Sequence, residues 1–387
     1  MTDFPVVGVI GGGQLARMMQ QAAIALGVEL KVLSVGPRDS AALVISDVEL
    51  GEHTDREAVL NFAHECDVVT FDHEHVPAEI LNELINAGIR VEPGPQALVH
   101  AQDKITMREA LTEAGIPCPA WQAVSREVSA DEFAAAVDAF GQANGFPVVA
   151  KTSRGGYDGR GVWVLADGMQ ARELANQADL QNNANWLLEQ FVPFTQELAA
   201  QVARTPSGQV LAYPVVRTVQ TDGICTQVVA PAPDLDDETV AQAQSIALKV
   251  AQALGVTGML AVELFDSEQG LLVNELAMRP HNSGHWSIDG AVTSQFENHL
   301  RAVLDLPLGA TGLRAPVVVM ENILGTESTP GYSAYPGVLA QDPRIKLHWY
   351  GKEPRAGRKL GHVTAYGEDL DEVLGRARFA AKSIADQ

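Results

Sequence analysis

Two glutamates stand at matched places in two apolar stretches, Glu263 within 258–265 and Glu275 within 271–277, joined by Ser267-Glu268-Gln269-Gly270. An antiparallel pairing centred on Gln269 sets 265 against 273 and 263 against 275. Both carboxylates then leave one face as direct cross-strand neighbours, with Cβ atoms about 5 Å apart. Bare, they would repel. A hard divalent cation removes the repulsion, and oxygen-only ligation suits Mg2+, which couples to nucleotide phosphates. The competing reading is that one carboxylate pairs with a lysine or turns to water, which a one-residue slip in register would bring about.

A second group of residues could hold those phosphates. Lys151 closes the strand-like stretch 146–152, and Arg154-Gly155-Gly156-Tyr157-Asp158-Gly159-Arg160-Gly161 follows it, four glycines among two arginines. Backbone N–H groups approach a polyphosphate closely where side chains are absent, and Lys151 with the arginines supplies countercharge. The alternative is a plain hairpin tip. It is not a Walker-type loop, which needs Gly-Lys-Ser/Thr opening a helix. Directly after the second glutamate, Arg279-Pro280-His281-Asn282-Ser283-Gly284-His285-Trp286 gathers donors that should line the same cleft. His281 and His285 have a spacing zinc can use, but no helix signal and no third ligand support it, so donors to an anionic substrate are preferred.

Gly11-Gly12-Gly13-Gln14-Leu15-Ala16 follows an apolar strand signal and opens a helical pattern, so free N–H groups at a helix N-terminus should hold an anion. A dinucleotide would also need an acidic residue where Ser34-Val35-Gly36 stands, which favours a phosphate ester over a dinucleotide or a structural turn. The stretch 186–192 reads as a buried strand ending in Glu189-Gln190-Phe191-Val192, with Glu197 beyond it. Backbone and carboxylate there could hold an adenine edge and a ribose, although a plain core strand has the same pattern. Lys352, Arg355, Arg358 and Lys359 form a basic cluster, and Glu74 and His75 follow the strand signal 67–71. Each is read as ligand-facing or as ordinary surface.

The elements that must position these groups fall into two textures. Residues 6–10, 15–26 and 30–34 read as strand, helix and strand, and 67–71, 78–87 and 89–92 repeat the alternation, which predicts a parallel sheet. Pro93-Gly94-Pro95 breaks the pattern and predicts a boundary near residue 100. Beyond it the grammar is α+β. Helices are expected over 102–111, 130–140 and 237–254, hairpins over 146–165 and 197–216, and a small terminal unit with strands 315–323 and 345–349 and a helix over 369–384. The expected domains are 1–100, 101–309 and 310–387.

Composition narrows the function classes. In 387 residues, 27 basic against 49 acidic side chains give a net charge of −22, which repels nucleic acid and anionic membrane surfaces. No apolar run approaches the roughly 18 residues of a membrane span. Met1-Thr2-Asp3 lacks a basic start and apolar stretch, and three scattered cysteines predict no disulfide framework, so a cytoplasmic protein is expected.

Together, Gly12-Gly13-Gln14-Leu15, the run Gly155 to Gly161, Asn274 to Ala277 with Arg279 to Trp286, and Gly357 to His362 resemble the N5-carboxyaminoimidazole ribonucleotide synthetase family of purine biosynthesis, within the ATP-grasp superfamily. The resemblance runs from about Val6 to His362. It implies an α/β and α+β chain: a Rossmann-like pre-ATP-grasp domain, an ATP-grasp domain and a small β-rich C-terminal domain. It also implies a ligase that uses MgATP and bicarbonate to carboxylate the exocyclic amine of 5-aminoimidazole ribonucleotide through carboxyphosphate, releasing ADP and phosphate. Carried over by position, Lys104, Lys151, Gly156, Gly159, Gly161, Glu189, Gln190, Phe191, Val192, Glu197, Asn274 and Glu275 would bind ATP, and Glu263 with the same Glu275 would bind two magnesium ions. Tyr157, Asp158, Arg160, Arg279 and His281 would be catalytic, the first three also touching ATP. Gly13, Gln14, Leu15, Glu74, His75, Asn282, Ser283, Lys352, Arg355, Arg358 and Lys359 would bind substrate. A homodimer is implied as well. The chain departs from the family pattern at Gln220, where a histidine is common, and at Met278, where a proline is usual. The rival classes are another ATP-grasp ligase, a dinucleotide-dependent oxidoreductase and a non-catalytic nucleotide sensor.

Overall fold

The computed structural model of the protein describes residues 4–155, 161–177, 185–326 and 331–385. The N-terminal strands β1 (Val6–Ile10), β2 (Glu29–Ser34), β3 (Asp47–Leu50) and β4 (Val68–Phe71) form a parallel sheet in the order β3-β2-β1-β4. Helices α1 (Gln14–Leu26), α2 (Arg56–Ala63) and α3 (Ala78–Asn86) connect and cover them. The expected strand over 89–92 is a single parallel bridge, Val69 to Val91. Pro93 has no N–H to extend the ladder, so the chain leaves the sheet there. Sequence reading also passed over β3, which is short and only partly covered, and α2, whose N-cap Asp55 accepts from the N–H groups of Glu57 at 3.0 Å and Ala58 at 3.2 Å.

The Pro93-Gly94-Pro95 break is also a helix start. Pro95 opens α4 (Pro95–Gln102), where its missing N–H costs nothing, and Asp103 then caps α5 (Lys104–Glu113). Next come β5 (Trp121–Val124), α6 (Ala130–Asn144), β6 (Val148–Thr152), β7 (Val162–Leu165), α7 (Gly168–Ala175) and β8 (Trp186–Gln190). The four strands form an antiparallel sheet in the order β5-β8-β6-β7, with α6 started by a Ser129/Glu132 capping box.

The third sheet is the largest. It comprises β9 (Phe194–Arg204), β10 (Val210–Ala212), β11 (Val216–Thr221), β12 (Ile224–Ala230), β13 (Gly258–Ser267), β14 (Gly270–Ala277), β15 (Val317–Leu324), β16 (Lys346–Trp349) and β17 (Lys359–Gly367). Its order is β14-β13-β9-β11-β12-β15-β17-β16, with β10 paired to β9. The expected single strand over 209–216 is thus the end of a hairpin (β10) and the start of a separate strand (β11). Helix α8 (Asp237–Ala253) lies against β9 and β13, followed by α9 (Ser287–Gly290), α10 (Gln295–Val303), α11 (Tyr335–Gln341) and α12 (Leu370–Ala385). The C-terminal strands continue this sheet through the β12–β15 pairing, while their other face packs on α12 around Val319, Val363, Val373 and Ala377. None of the three cysteines is in a disulfide, and among the described residues no helix is long and apolar enough to cross a membrane.

The N-terminal sheet depends on one tight fit. A Cβ at Gly8 would stand 2.5 Å from Cys66 Sγ and 3.0 Å from the Phe62 ring, so glycine in β1 lets the fully buried Phe62 seat against the strand. We expect Phe62→Ala to cost about 3–5 kcal/mol, read as a lower urea midpoint with an unchanged denaturant slope.

Candidate active site

The carboxylate pair forms by a route the sequence does not display. Ser267 pairs with Gly270, so the turn is centred between Glu268 and Gln269, and Phe265 faces Leu272 rather than residue 273. A bulge between Glu263 and Leu264 then takes up one residue, Asn274, and restores Glu263 opposite Glu275. Two oxygens of the bulged residue serve the site. The Asn274 carbonyl accepts from Arg108 Nη2 at 2.7 Å, and its Oδ1 accepts from Lys151 Nζ at 3.2 Å.

Each carboxylate has a basic side chain at the edge of contact. Lys104 Nζ lies 3.7 Å from Glu275 Oε1, and His281 Nε2 lies 3.7 Å from Glu263 Oε1. The Glu275 side chain is 49% exposed and that of Glu263 21%, so both carboxylates are accessible. The donor set is hard oxygen and fits Mg2+. Among the described residues no group of three His, Cys, Asp or Glu side chains could cage a metal alone. A cation here would complete its shell with phosphate and water, which is how Mg2+ is usually held.

Behind the pair lies a buried charge cluster. Glu189 Oε1 is 2.5 Å from Arg108 Nε, and Oε2 is 2.5 Å from Lys151 Nζ. Burial alone would raise the Glu189 pKa, but the two cations outweigh it and hold the carboxyl at about 2. The side chain expected at an adenine edge is therefore committed inward, and among its neighbours Gln190 is half-buried, Phe191 exposed and Val192 buried. Sequence reading missed Arg108. Its signal was the spacing of four from Lys104, which puts both cations on one face of α5.

Lys104 also donates to the Gly155 carbonyl at 3.2 Å, and its N–H to the Ser153 carbonyl at 2.8 Å, so it stands at the mouth of the glycine loop. Gly155 and Gly161 have φ of +69° and +73°, which explains glycine on both sides of that mouth. Gly156, Tyr157, Asp158, Gly159 and Arg160 lie outside the described residues. Glu197, on β9, has its pKa raised by burial and accepts a side-chain hydrogen bond from Gln220, the position that departs from the family pattern.

The anion expected at the α1 N-terminus belongs to the protein itself. Asp72 Oδ1 accepts from the Ala16 N–H at 2.8 Å, and its carboxylate also accepts from the Leu15 N–H. A Cβ at Gly13 would stand 2.0 Å from Asp72 Oδ2, so this glycine makes room for the carboxylate rather than for a ligand. These two amides are accordingly not open to a phosphate. Next to them, Gln14 Oε1 accepts from Lys352 Nζ, which joins the two ends of the chain. Arg279 Nε donates to Glu74 Oε2 at 2.8 Å, while His75 is exposed and its ring centroid is 5.4 Å from that of His73. Arg355 is exposed, Arg358 Nη1 donates to the Glu353 carbonyl at 3.2 Å, and the Lys359 charge acts on His281.

The 279–286 loop is held by its own side chains together with those of neighbouring elements. Asn282 and Asn322 exchange hydrogen bonds of 3.0 and 2.8 Å, and the Ser283 N–H donates to His281 Nδ1 at 3.4 Å. That acceptor role places the His281 proton on Nε2, toward Glu263. Burial, reinforced by the Arg279 charge, lowers the His281 pKa to about 3, so the ring is neutral at physiological pH. His285 is buried, with Nδ1 bonded to Gln295 Nε2 at 2.9 Å, so the two histidines do not converge as a zinc site.

Three family descriptions match successive parts of this molecule: the ribonucleotide synthetase preATP-grasp domain over 4–102, the ATP-grasp domain over 109–296 and the phosphoribosylaminoimidazole carboxylase C-terminal domain over 318–376. Fold and site thus define an ATP-grasp protein. The chain is 51% identical to the N5-carboxyaminoimidazole ribonucleotide synthase of Mycobacterium tuberculosis (strain ATCC 25618 / H37Rv), over 97% of its own length and 87% of the relative's. It is 46% identical to the synthase of Corynebacterium ammoniagenes, over 99% and 92%. A crystal structure of the Aspergillus clavatus enzyme with ADP and 5-aminoimidazole ribonucleotide matches at a TM-score of 0.88 and 31% identity, covering 99% of each chain. The chain belongs to the N5-carboxyaminoimidazole ribonucleotide synthase family.

The buried cluster is testable by stability. Arg108→Met leaves Glu189 half-paired and should cost about 3–5 kcal/mol in urea unfolding at pH 7. Because the Glu189 pKa is lower folded than unfolded, its contribution is present above about pH 4.5 and lost as pH falls toward 2. Glu189→Gln should flatten the acid-side decline of stability in that window.

Proposed function

We propose that this protein carboxylates the exocyclic amine of 5-aminoimidazole ribonucleotide, consuming ATP and bicarbonate and releasing ADP and phosphate. The observation that carries the reading is Glu263 directly opposite Glu275, with Lys104 and Lys151 on one side and the His281 loop on the other. Bicarbonate is a poor electrophile, so one of its oxygens first takes the γ-phosphoryl group of ATP to give carboxyphosphate. The amine nitrogen then attacks the carbonyl carbon, the C–N bond forms as the C–O bond to phosphate breaks, and the departing phosphate takes the amine proton.

The protein's work in both steps is positioning and charge neutralisation. Lys104 and Lys151 meet the phosphates beside the glycine loop. Glu263 and Glu275 would hold Mg2+, of which two ions are expected, and the metal would supply neutralisation of phosphate charge. Arg279, aligned by Glu74, faces the anionic carboxyl donor. Neutral His281 offers its Nε2 proton as a hydrogen bond without adding charge. Tyr157, Asp158 and Arg160 complete the catalytic set, and exclusion of water from the site would protect carboxyphosphate. Lys352, with Gln14, Arg358 and Lys359, would receive the ribonucleotide phosphate. Its binding must recruit these side chains, since Asp72 already occupies the helix terminus. We also read the protein as a cytoplasmic homodimer, with the family resemblance as the support.

ADP release should require bicarbonate and the aminoimidazole nucleotide together, measured by omitting each in turn from a coupled assay. Release driven by formate or an amino acid instead would reassign the reaction. Glu275→Ala should retain the fold by circular dichroism and lose about 10²–10³-fold in kcat, and near-normal turnover at saturating Mg2+ would refute the ligand assignment.

A further inference from the structure

Helix α10 begins with a fully buried glutamine whose side chain behaves as a strand neighbour of the active-site loop. The His281 N–H donates to Gln295 Oε1 at 2.9 Å, and Gln295 Nε2 donates to the His281 carbonyl at 2.8 Å. The second proton of Nε2 goes to His285 Nδ1 at 2.9 Å, and Oε1 also accepts from Gln201 Nε2 at 3.3 Å. All four hydrogen-bonding positions of the amide are thus filled at zero exposure. Reversing the amide would set its NH2 against the His281 N–H, so its orientation is fixed.

The surroundings are cut to admit it. A Cβ on Gly284 would stand 2.4 Å from both Gln295 Oε1 and Gln201 Oε1, so the glycine of the loop is where the two amides cross it. The Gln295 backbone is anchored too, its N–H donating to Ser287 Oγ at 2.9 Å, and Ser294 caps the helix on the Glu297 N–H. The loop it grips carries His281, whose ring direction toward Glu263 follows from its backbone pose and from the Ser283 N–H.

We infer that Gln295 is a positioning residue for the carboxylation half of the reaction: its amide fixes the His281 backbone, and through it the imidazole and the Asn282–Ser283 segment that meet the carboxyl donor and the imidazole nucleotide. This rests on the function proposed above. The residue touches no reacting atom. Its amide bonds to His281, His285 and Gln201 and to neither Lys104 nor Lys151, so its loss should separate the two substrates kinetically, which a loss of stability alone would not do.

The test uses the full chain. Wild type is assayed first. If it shows no ADP release dependent on bicarbonate and aminoimidazole ribonucleotide, the proposed function fails, and the clamp is then judged by amide exchange alone. In a working enzyme, Gln295→Met should bind ADP within about twofold of wild type by calorimetry and lose about 100-fold in kcat/KM for the aminoimidazole nucleotide. KM for ATP should change little. Gly284→Ala, which pushes a methyl into the same amides, should give the same split. A variant that binds ADP normally and keeps wild-type kcat and KM for both substrates overturns the inference. Should both variants fail to fold, hydrogen exchange of the wild-type His281 amide decides: strong protection is expected, and exchange at the rate of an open loop overturns the clamp.

Discussion

Two like charges forced side by side set the terms for the rest of this molecule. Glu263 and Glu275 are direct neighbours on β13 and β14, and such a pair is destabilising unless the surroundings supply positive charge. The supply is local. Lys104 brings charge to one carboxylate, while the other faces Nε2 of the neutral His281 ring. Arg108 and Lys151 neutralise Glu189 just behind, and Arg279 is balanced by Glu74. In a chain of net charge −22 these cations are concentrated where phosphates and carboxyl groups would arrive.

The bulge at Asn274 joins the pair to its support. It restores the facing register, and it turns the Asn274 carbonyl and amide oxygen toward Arg108 and Lys151. A regular hairpin would set Glu263 opposite Asn274 and separate the carboxylates. Helix α10 plays the matching part for the His281 loop and its surroundings through three buried polar residues on one face. Gln295 holds the His281 loop, Asn298 bonds to Tyr213 and Gly309, and His299 bridges Thr70 of the N-terminal sheet and the Met259 N–H of β13. Burial lowers the His299 pKa to about 3, so this bridge is uncharged at neutral pH.

What the sequence made legible was chemistry carried by contiguous residues. Glu263 does face Glu275, though through a bulge rather than the regular pairing its spacing suggested, the donor-rich 279–286 segment follows the second carboxylate strand, and the βαβ opening with its parallel sheet is present. What stayed hidden depends on contacts between distant segments. Asp72 reaches a helix terminus 56 residues away, which turned an expected phosphate site into an internal cap. The Asn274 bulge follows from a tighter turn than the one assumed and is compensated by hydrogen bonds from α5 and β6. Pro95 signalled a break but opens a helix, because proline marks both. Gln295 lies in a stretch with no motif of its own, and only the fold brings it to His281.

Binding of Mn2+ in place of Mg2+, followed by electron paramagnetic resonance in the presence of ADP, measures the carboxylate pair directly. If Glu263 and Glu275 jointly hold the nucleotide's cation, Glu263→Gln and Glu275→Gln should each weaken Mn2+ by at least about tenfold, a loss that even outer-shell changes can bring about, while metal-free ADP binding is kept. Mn2+ affinity unchanged in both variants would contradict that role and leave the facing carboxylates without one.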